Sequence, residues 1–476
     1  MERTRKNKNR HLEYFEQLAP KRVKSRKRYS YYWNEITNYF NYFLNDNLSI
    51  LEVGCGTGET IAKLKGKRKV GIDYSQKMIE QAKTQFPDIE FKVMNAEDIE
   101  FEEKFDVIIL SNLIGFLDDV QAVFKAIKNV SHDSTKIYIS YYNYFWEPIL
   151  NFAEFFGLKR KSPQQNWLSE KDISNLLYLN GFETYRNAKK MLWPVNIPVL
   201  SFIVNKYFGN LPLINSLTIN QYLFARPFPP KEDISKKYST SVVIPARNES
   251  GNIEAAIQRL PKFGKSIEII FIEGNSTDDT WSKIQETAKK YKSTHNIKIG
   301  QQEGKGKGDA VRKGYNMATG DILMILDADL TVPPEDLPKF YDAIASGKGE
   351  FINGSRLVYP MEKDAMRTLN ILGNKFFSIL FSWLLEQPFK DTLCGTKVLF
   401  RKDYLQLAEN RRFFGEFDPF GDFDLIFGAY KLNLKITELP IRYQERTYGD
   451  TNISRFKHGL ILLRMCAFAA RKLKFI

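Results

Sequence analysis

Cysteine is scarce in this chain, with three in 476 residues at positions 55, 394 and 466. None shows Cys-x-x-Cys spacing or a neighbouring histidine pair, which excludes a disulfide framework and a zinc knuckle and fits a reducing, cytoplasmic setting. Long apolar runs are lacking too. Nothing approaches the roughly 20 residues that a spanning helix needs. The nearest stretches are 191–204, interrupted by Pro194 and Pro198, and 460–470, which is too short. The chain opens on basic residues with no apolar stretch behind them, so neither a signal peptide nor a membrane crossing is expected. The basic opening also lacks the regular aromatic interleaving of a single-strand-binding groove, so nucleic acid is not an expected partner.

What is present supports a globular protein. Hydrophobic residues make up 43% and charged residues 26%, enough apolar mass for a packed interior. A chain of this length suits two domains with separate cores. The formal charge of +14 is concentrated at the start, where residues 1–30 hold eleven Lys/Arg against three Asp/Glu. Residues 1–28 therefore read as a basic, solvated arm.

From residue 29 the pattern becomes ordered. Tyr32, Ile36, Tyr39, Phe40 and Phe43 fall at helical spacing. Apolar strands at 49–53, 69–72, 91–94, 105–110 and 136–141 then alternate with helical segments. That rhythm predicts a doubly wound, mainly parallel sheet. The stretch Phe228-Pro-Pro-Lys-Glu-Asp-Ile-Ser-Lys-Lys237 is the best linker, giving domains at 29–228 and 239–476 with 229–238 between them. Beyond it the alternation restarts, with strands at 241–245, 267–273, 298–301 and 322–326.

Two loops carry chemistry. In Leu51-Glu-Val-Gly-Cys-Gly-Thr-Gly58 the glycines let backbone approach a ligand, and Asp73, ending the next strand, is placed to accept from ribose hydroxyls. The spacing is GxGxG rather than the GxGxxG of dinucleotide folds. Cys55 reads as a small turn residue. In Leu326-Asp-Ala-Asp-Leu330 two carboxylates flank one small residue after a buried strand, so both can address one hard divalent cation, Mg²⁺ or Mn²⁺. Gly304-Lys-Gly-Lys-Gly-Asp-Ala310 reads as a flexible basic loop able to cradle phosphate, without the ending of a P-loop. The aromatic run 141–146 lies where substrate loops lie. Residues 376–385 and 460–475 are apolar with basic flanks, readable as core helices or as a peripheral membrane contact.

The first set, with Gly71-Ile-Asp-Tyr-Ser75, Asn95-Ala-Glu-Asp98 and Ser111-Asn-Leu113, resembles class I S-adenosylmethionine-dependent methyltransferases, a Rossmann-like fold. The resemblance implies that Glu52, Gly54, Gly56 and Gly58 hold the methionine end, Asp73 the ribose, and Ala96, Glu97 and Asp98 the adenine. The family's frequent acidic-His pair is replaced near Gly115 and Phe116, so it supplies no general base.

The second set resembles glycosyltransferase family 2, and within it the dolichyl-phosphate mannosyltransferase-like enzymes of GT-A fold. It implies that Pro245, Ala246, Asn248, Glu249 and Glu273 line a nucleotide sugar, UDP- or GDP-linked. Lys307, Arg446 and Arg455 would attend its phosphates and Asp327 its ribose or phosphate, with Asp329 the main metal ligand beside Asp327. Arg356 would stand on the acceptor side, and Asp422, then Asp424, would take the acceptor proton. An already ionised polyprenyl-phosphate acceptor would need no base. Thr331 stands where relatives often have Gln. Two functions fit. One is a bifunctional methyl- and glycosyltransferase of cell-surface glycan or glycolipid assembly. The other is a single glycosyltransferase with a cofactor-binding or docking N-terminal domain.

Overall fold

The computed structural model describes residues 2–157, 163, 165–356, 358, 368–409, 423–444, 446, 448 and 455–475. The chain divides into two compact units, Met1–Phe228 with Phe475–Ile476, and Pro229–Lys474.

The first unit is built on β1 (Ser49–Val53), β2 (Arg68–Asp73), β3 (Glu90–Val93), β4 (Phe105–Ser111), β5 (Ser131–Tyr142), β6 (Phe182–Lys190) and β7 (Asn220–Pro227), in the order β3-β2-β1-β4-β5-β7-β6. The first five run parallel, and β7 lies antiparallel to both neighbours. Ile50, Leu51 and Val53 of β1 and Val107–Leu110 of β4 are buried, as strands covered on both faces require. The order reverses between β1 and β4, which opens a crevice at their carboxyl ends.

The second unit repeats the logic with β8 (Ser239–Ala246), β9 (Ser266–Glu273), β10 (Asn296–Gln301), β11 (Ile322–Ile325), β12 (Phe351–Ser355), β13 (Lys397–Phe400) and β14 (Ile436–Pro440), ordered β10-β9-β8-β11-β13-β12-β14. Here β13 is antiparallel to β11 and β12. Residues 229–238 do not hang free. The Ile234 carbonyl accepts from Tyr341 Oη at 2.7 Å, and Tyr238 packs edge-on against Phe400. Helix Arg455–Ala469 and the turn after it bury Leu462, Met465, Cys466, Ala469 and Leu473. That stripe at helical spacing follows the core reading of 460–475.

One expectation fails outright. The basic arm is not a solvated lead-in but helix α1 (Glu2–Arg28), with Leu18 and Ala19 buried against Met78 and flanked by Tyr14 and Phe15. Glu16 accepts from Ser75 Oγ at 2.7 Å. Arg26 is buried, its guanidinium 3.5 Å above the Trp33 ring and donating to Thr60 Oγ1 at 3.1 Å. A few well-placed apolar and aromatic side chains outweigh the overall polarity of the helix, while Lys21, Lys24, Lys27 and Arg28 stay exposed.

Arg26 shares this interior with Glu52, whose carboxylate accepts from the Ile61 N–H at 3.0 Å at the start of helix Glu59–Lys63. Burial pushes Glu52 up to about 8, and burial followed by Arg22 pulls Arg26 down to about 10. A carboxyl raised on folding adds stability that is complete below its unfolded value and is lost as pH climbs through about 8. Thermal unfolding of the wild type and Glu52→Gln, scanned from pH about 5 to about 9, is expected to show a steeper decline in the wild type. A loss near 1 kcal/mol corresponds to a few degrees. Parallel profiles would remove Glu52 as the source.

Candidate functional site

The first site is the crevice above β1, β2 and β4. The turn leaving β1 is fixed by backbone, with Gly54 and Cys55 N–H donating to the Ile72 carbonyl at 2.8 and 2.9 Å. Gly54, Gly56 and Gly58 all have positive φ, and a Cβ at Gly56 would meet nothing within 4 Å, so the Cα side of the turn is open there. Asp73 is buried and raised by that burial, while its two oxygens accept from Gly56 N–H (2.9 Å) and Ser75 N–H (3.0 Å). Cys55 is buried, and burial holds its thiol well above the ordinary range, as a turn residue rather than a nucleophile requires.

The Asn95–Asp98 turn stands beside it. Glu97 accepts from Asp119 N–H at 3.3 Å, Ala96 is half-buried and Asp98 exposed. Glu52, by contrast, faces the helix at 59–63 rather than the open side of the turn. Helix α1 borders this region, where the Phe15 ring meets Tyr74 and Phe116 edge-on. Arg22 carries a buried Nε without a hydrogen-bond partner, and its charge acts on Asp73. Sequence reasoning missed Arg22, because the basic run hid which of its cations turn inward.

Across the crevice a small pocket is lined by Asn112, Phe116, Tyr141, Tyr142, Asn166 and Trp167 among others. Asn112, at φ 52°, donates to Tyr32 Oη at 2.7 Å and leaves its own Oδ1 buried without a partner. Of the aromatic run, Tyr141 and Tyr142 line this pocket, whereas Tyr144 and Phe145 face outward.

The second site gathers the carboxyl ends of β8, β9 and β11. Pro245 and Ala246 close β8. Asn248, at φ 56°, accepts from Thr277 N–H at 2.8 Å and so joins two loops. Glu273 is buried and accepts from Ser276 N–H and from Gln301 Nε2 at 3.1 Å.

Asp327 meets Lys307 Nζ at 2.5 Å. Lys307 lies in the first turn of helix Gly306–Met317, with Asp309 accepting from Gly304 N–H at 2.8 Å. The expected flexible loop at 304–310 is therefore mostly helix, and Asp309 ties the preceding turn to it. Asp329 accepts from Thr331 Oγ1 at 2.8 Å, and Arg446 Nη2 donates to its other oxygen at 2.6 Å. The same guanidinium reaches Glu249 at 3.3 Å. Burial, opposed by Asn252 and Arg446, leaves Glu249 raised to about 7.

Arg356 is not a free cation. Its Nε and Nη2 each donate to Asp391 at 2.8 Å, and its ring neighbour is Tyr443. Asp391 was not foreseen. Burial alone would raise it, but Arg356 holds it below the usual carboxylate range. Gly395, four residues on, has no room for a side chain, since a Cβ would stand 1.9 Å from Asp327 Oδ2 and 2.4 Å from Lys307 Nζ. The available signal was an acid, a thiol and a glycine packed just before an apolar strand. Asp424 is buried on helix Phe423–Lys431. Asp422 lies outside the described residues, and Arg455 opens its helix with no side-chain placement described.

The donor set suits a hard cation, because Asp327 and Asp329 offer only oxygen. Among the described residues no three His, Cys, Asp or Glu side chains form a metal cluster, so substrate oxygens would have to complete the shell.

Comparison with known proteins agrees with the order of the two sites. A model described as a methyltransferase domain matches residues 50–133, and one described as glycosyl transferase family 2 matches residues 241–407. A dolichol-phosphate mannosyltransferase of Pyrococcus furiosus is 40% identical over 121 residues, covering 25% of this chain and 33% of that protein. The chain thus spans a third of the length of this relative. Glycosyltransferase AglJ of Haloferax volcanii is 28% identical over 224 residues, covering 46% of this chain and 68% of that protein. An S-adenosylmethionine-dependent methyltransferase structure from Clostridium acetobutylicum aligns with a TM-score of 0.30 at 15% identity, covering 42% of this chain and 92% of its own. The chain therefore carries a methyltransferase domain followed by a glycosyl transferase family 2 domain.

Proposed function

We propose that the chain is a bifunctional enzyme, joining S-adenosylmethionine-dependent methyl transfer to metal-dependent, inverting glycosyl transfer from a nucleotide-diphosphate sugar in glycan or glycolipid assembly. The observation that carries the glycosyl half is the charge set Glu249, Asp327 and Asp329 on two adjoining loops, balanced by Lys307 and Arg446. Asp327 and Asp329 would hold Mg²⁺ or Mn²⁺, which when bound offsets the charge of the departing diphosphate. Arg446, a guanidinium fork, suits phosphate as well as the carboxylates it now joins. Asn248 and Glu273 shape the nucleoside side, while the Arg356–Asp391 pair stiffens the neighbouring wall. Asp422 takes a hydroxyl acceptor's proton, with Asp424 as the second candidate. The likeness to a dolichol-phosphate mannosyltransferase favours a polyprenyl-phosphate acceptor, whose ionised oxygen needs no base.

In the first domain, bound S-adenosylmethionine would supply the methyl group. Gly56 presents its face to the ligand, Asp73 accepts from the ribose, and Arg22 stands as the cation for the methionine carboxylate. A second reading, a cofactor-binding domain without turnover, is favoured by one observation. The pocket at Asn112 and Tyr142 offers amides and phenols, and burial raises the Tyr32 and Tyr141 phenols away from any role as bases. Methyl acceptors tested against cofactor binding separate the two.

With a UDP- or GDP-sugar and Mn²⁺, Asp329→Ala should lower the transfer rate by at least about a hundredfold. Retained transfer would dismiss the metal assignment. By calorimetry Asp73→Ala should weaken S-adenosylmethionine about tenfold, the scale of one buried hydrogen bond. Arg22→Gln should weaken S-adenosylmethionine while leaving methylthioadenosine, which lacks the carboxylate, unchanged. Equal losses for both ligands would assign Arg22 to folding alone.

A further inference from the structure

The first unit exposes an apolar surface that neither site uses. Two excursions leave its sheet, residues 144–156 after β5 and residues 191–217 between β6 and β7. They are tied together. Trp146 Nε1 donates to the Leu217 carbonyl at 2.8 Å, and Asn143 Nδ2 donates to the carbonyls of Ser216 (2.9 Å) and Thr218 (3.0 Å). Phe152, Phe155, Trp193 and Phe202 are all exposed here, Phe155 to 82%. Residues 191–217 hold a single charged side chain, Lys206, and no acid. Soluble proteins rarely leave so much contiguous apolar surface without a partner.

Two strongly exposed points in residues 191–217 are made by the same device. In Pro198-Val199-Leu200 the middle residue has φ 65° and ψ −51°, and the Leu200 N–H donates to the Pro198 carbonyl at 2.7 Å. In Pro212-Leu213-Ile214 it has φ 72° and ψ −55°, with the Ile214 N–H donating to the Pro212 carbonyl at 3.0 Å. Both are γ-turns of the positive-φ kind, which is rare and strained for any residue with a side chain. Each thrusts the strained residue outward, Val199 to 71% and Leu213 to 89% exposure. Water alone would favour neither the backbone nor the exposure, so the two turns point to an apolar medium that receives them.

We propose that these excursions form one membrane-docking surface, with Val199 and Leu213 entering the acyl region of a phospholipid bilayer and Trp193 and Tyr207 at headgroup level. The tips protrude on short helical turns rather than lining a groove, as suits insertion into a soft medium. No helix among the described residues is long and apolar enough to cross a membrane, so the contact is interfacial. Charge selects the occupant. A chain of net charge +14 is drawn to an anionic leaflet, whereas a second copy of it would be repelled.

The test is co-sedimentation of the full chain with vesicles of phosphatidylcholine and phosphatidylglycerol, read beside Trp emission. Wild type should bind with a blue shift, and Val199→Asp with Leu213→Asp should weaken binding at least tenfold. Leu213→Gly separates docking from folding, because it relieves the positive φ while removing the side chain. It should raise the unfolding temperature and still lower vesicle binding. Vesicle binding unchanged in both variants would overturn the proposal. So would absence of wild-type binding, including the case where light scattering finds a dimer that Leu213→Asp dissolves.

Discussion

A carboxylate buried at the end of a parallel strand must be given hydrogen bonds by the loops around it, and that need shapes both domains. Asp73 takes them from the amides of Gly56 and Ser75, which obliges the glycine turn to double back over β2. Glu273 takes them from Ser276 and Gln301, which ties the ends of β9 and β10. In each case the loop is ordered before any ligand arrives, so the cost of arranging the site is met during folding. Two unrelated chemistries can then stand on sheets of the same parallel logic, because the sheet supplies the strand ends and the loops supply the identity.

Much of this was legible in the sequence, and for physical reasons. Periodicity marks strands that are buried on both faces, so β1, β4, β8 and β11 announced themselves. Glycines at 54, 56 and 58 and the acids at 327 and 329 sit next to those strands, which is why a local reading located them. What escaped depends on partners far apart in the chain. Arg356 finds Asp391 only after β12 and the helix Thr368–Leu385 have been placed. Gly395 matters because it passes against Asp327, and no local pattern reports that approach. Helix α1 was misread because composition averages over faces. Its Leu18 and Ala19 are outnumbered by lysines and arginines, of which only some, Arg22 and Arg26 among them, turn inward.

The Arg26–Trp33 stack shows how a basic segment becomes interior structure. A guanidinium is weakly hydrated and planar, so it lies on an indole face at lower cost than an ammonium would. With Thr60 as its hydrogen-bond partner and Glu52 and Glu59 nearby, it links α1 to the helix that follows the glycine turn. The segment that seemed a tail therefore sets one wall of the first site.

If the proposed metal and diphosphate bind at the second site, the position of Arg446 would have a kinetic consequence. By spanning Asp329 and Glu249 it keeps the pocket near electroneutrality while nothing is bound. A bare divalent ion would have to displace a cation already well seated, whereas an ion arriving with a diphosphate offers that cation a new anion in the same event. Exchange of one balanced pair for another favours concerted entry of metal and donor over entry of the metal alone. On the proposed reading the arginine would govern the order of binding before it touches any phosphate.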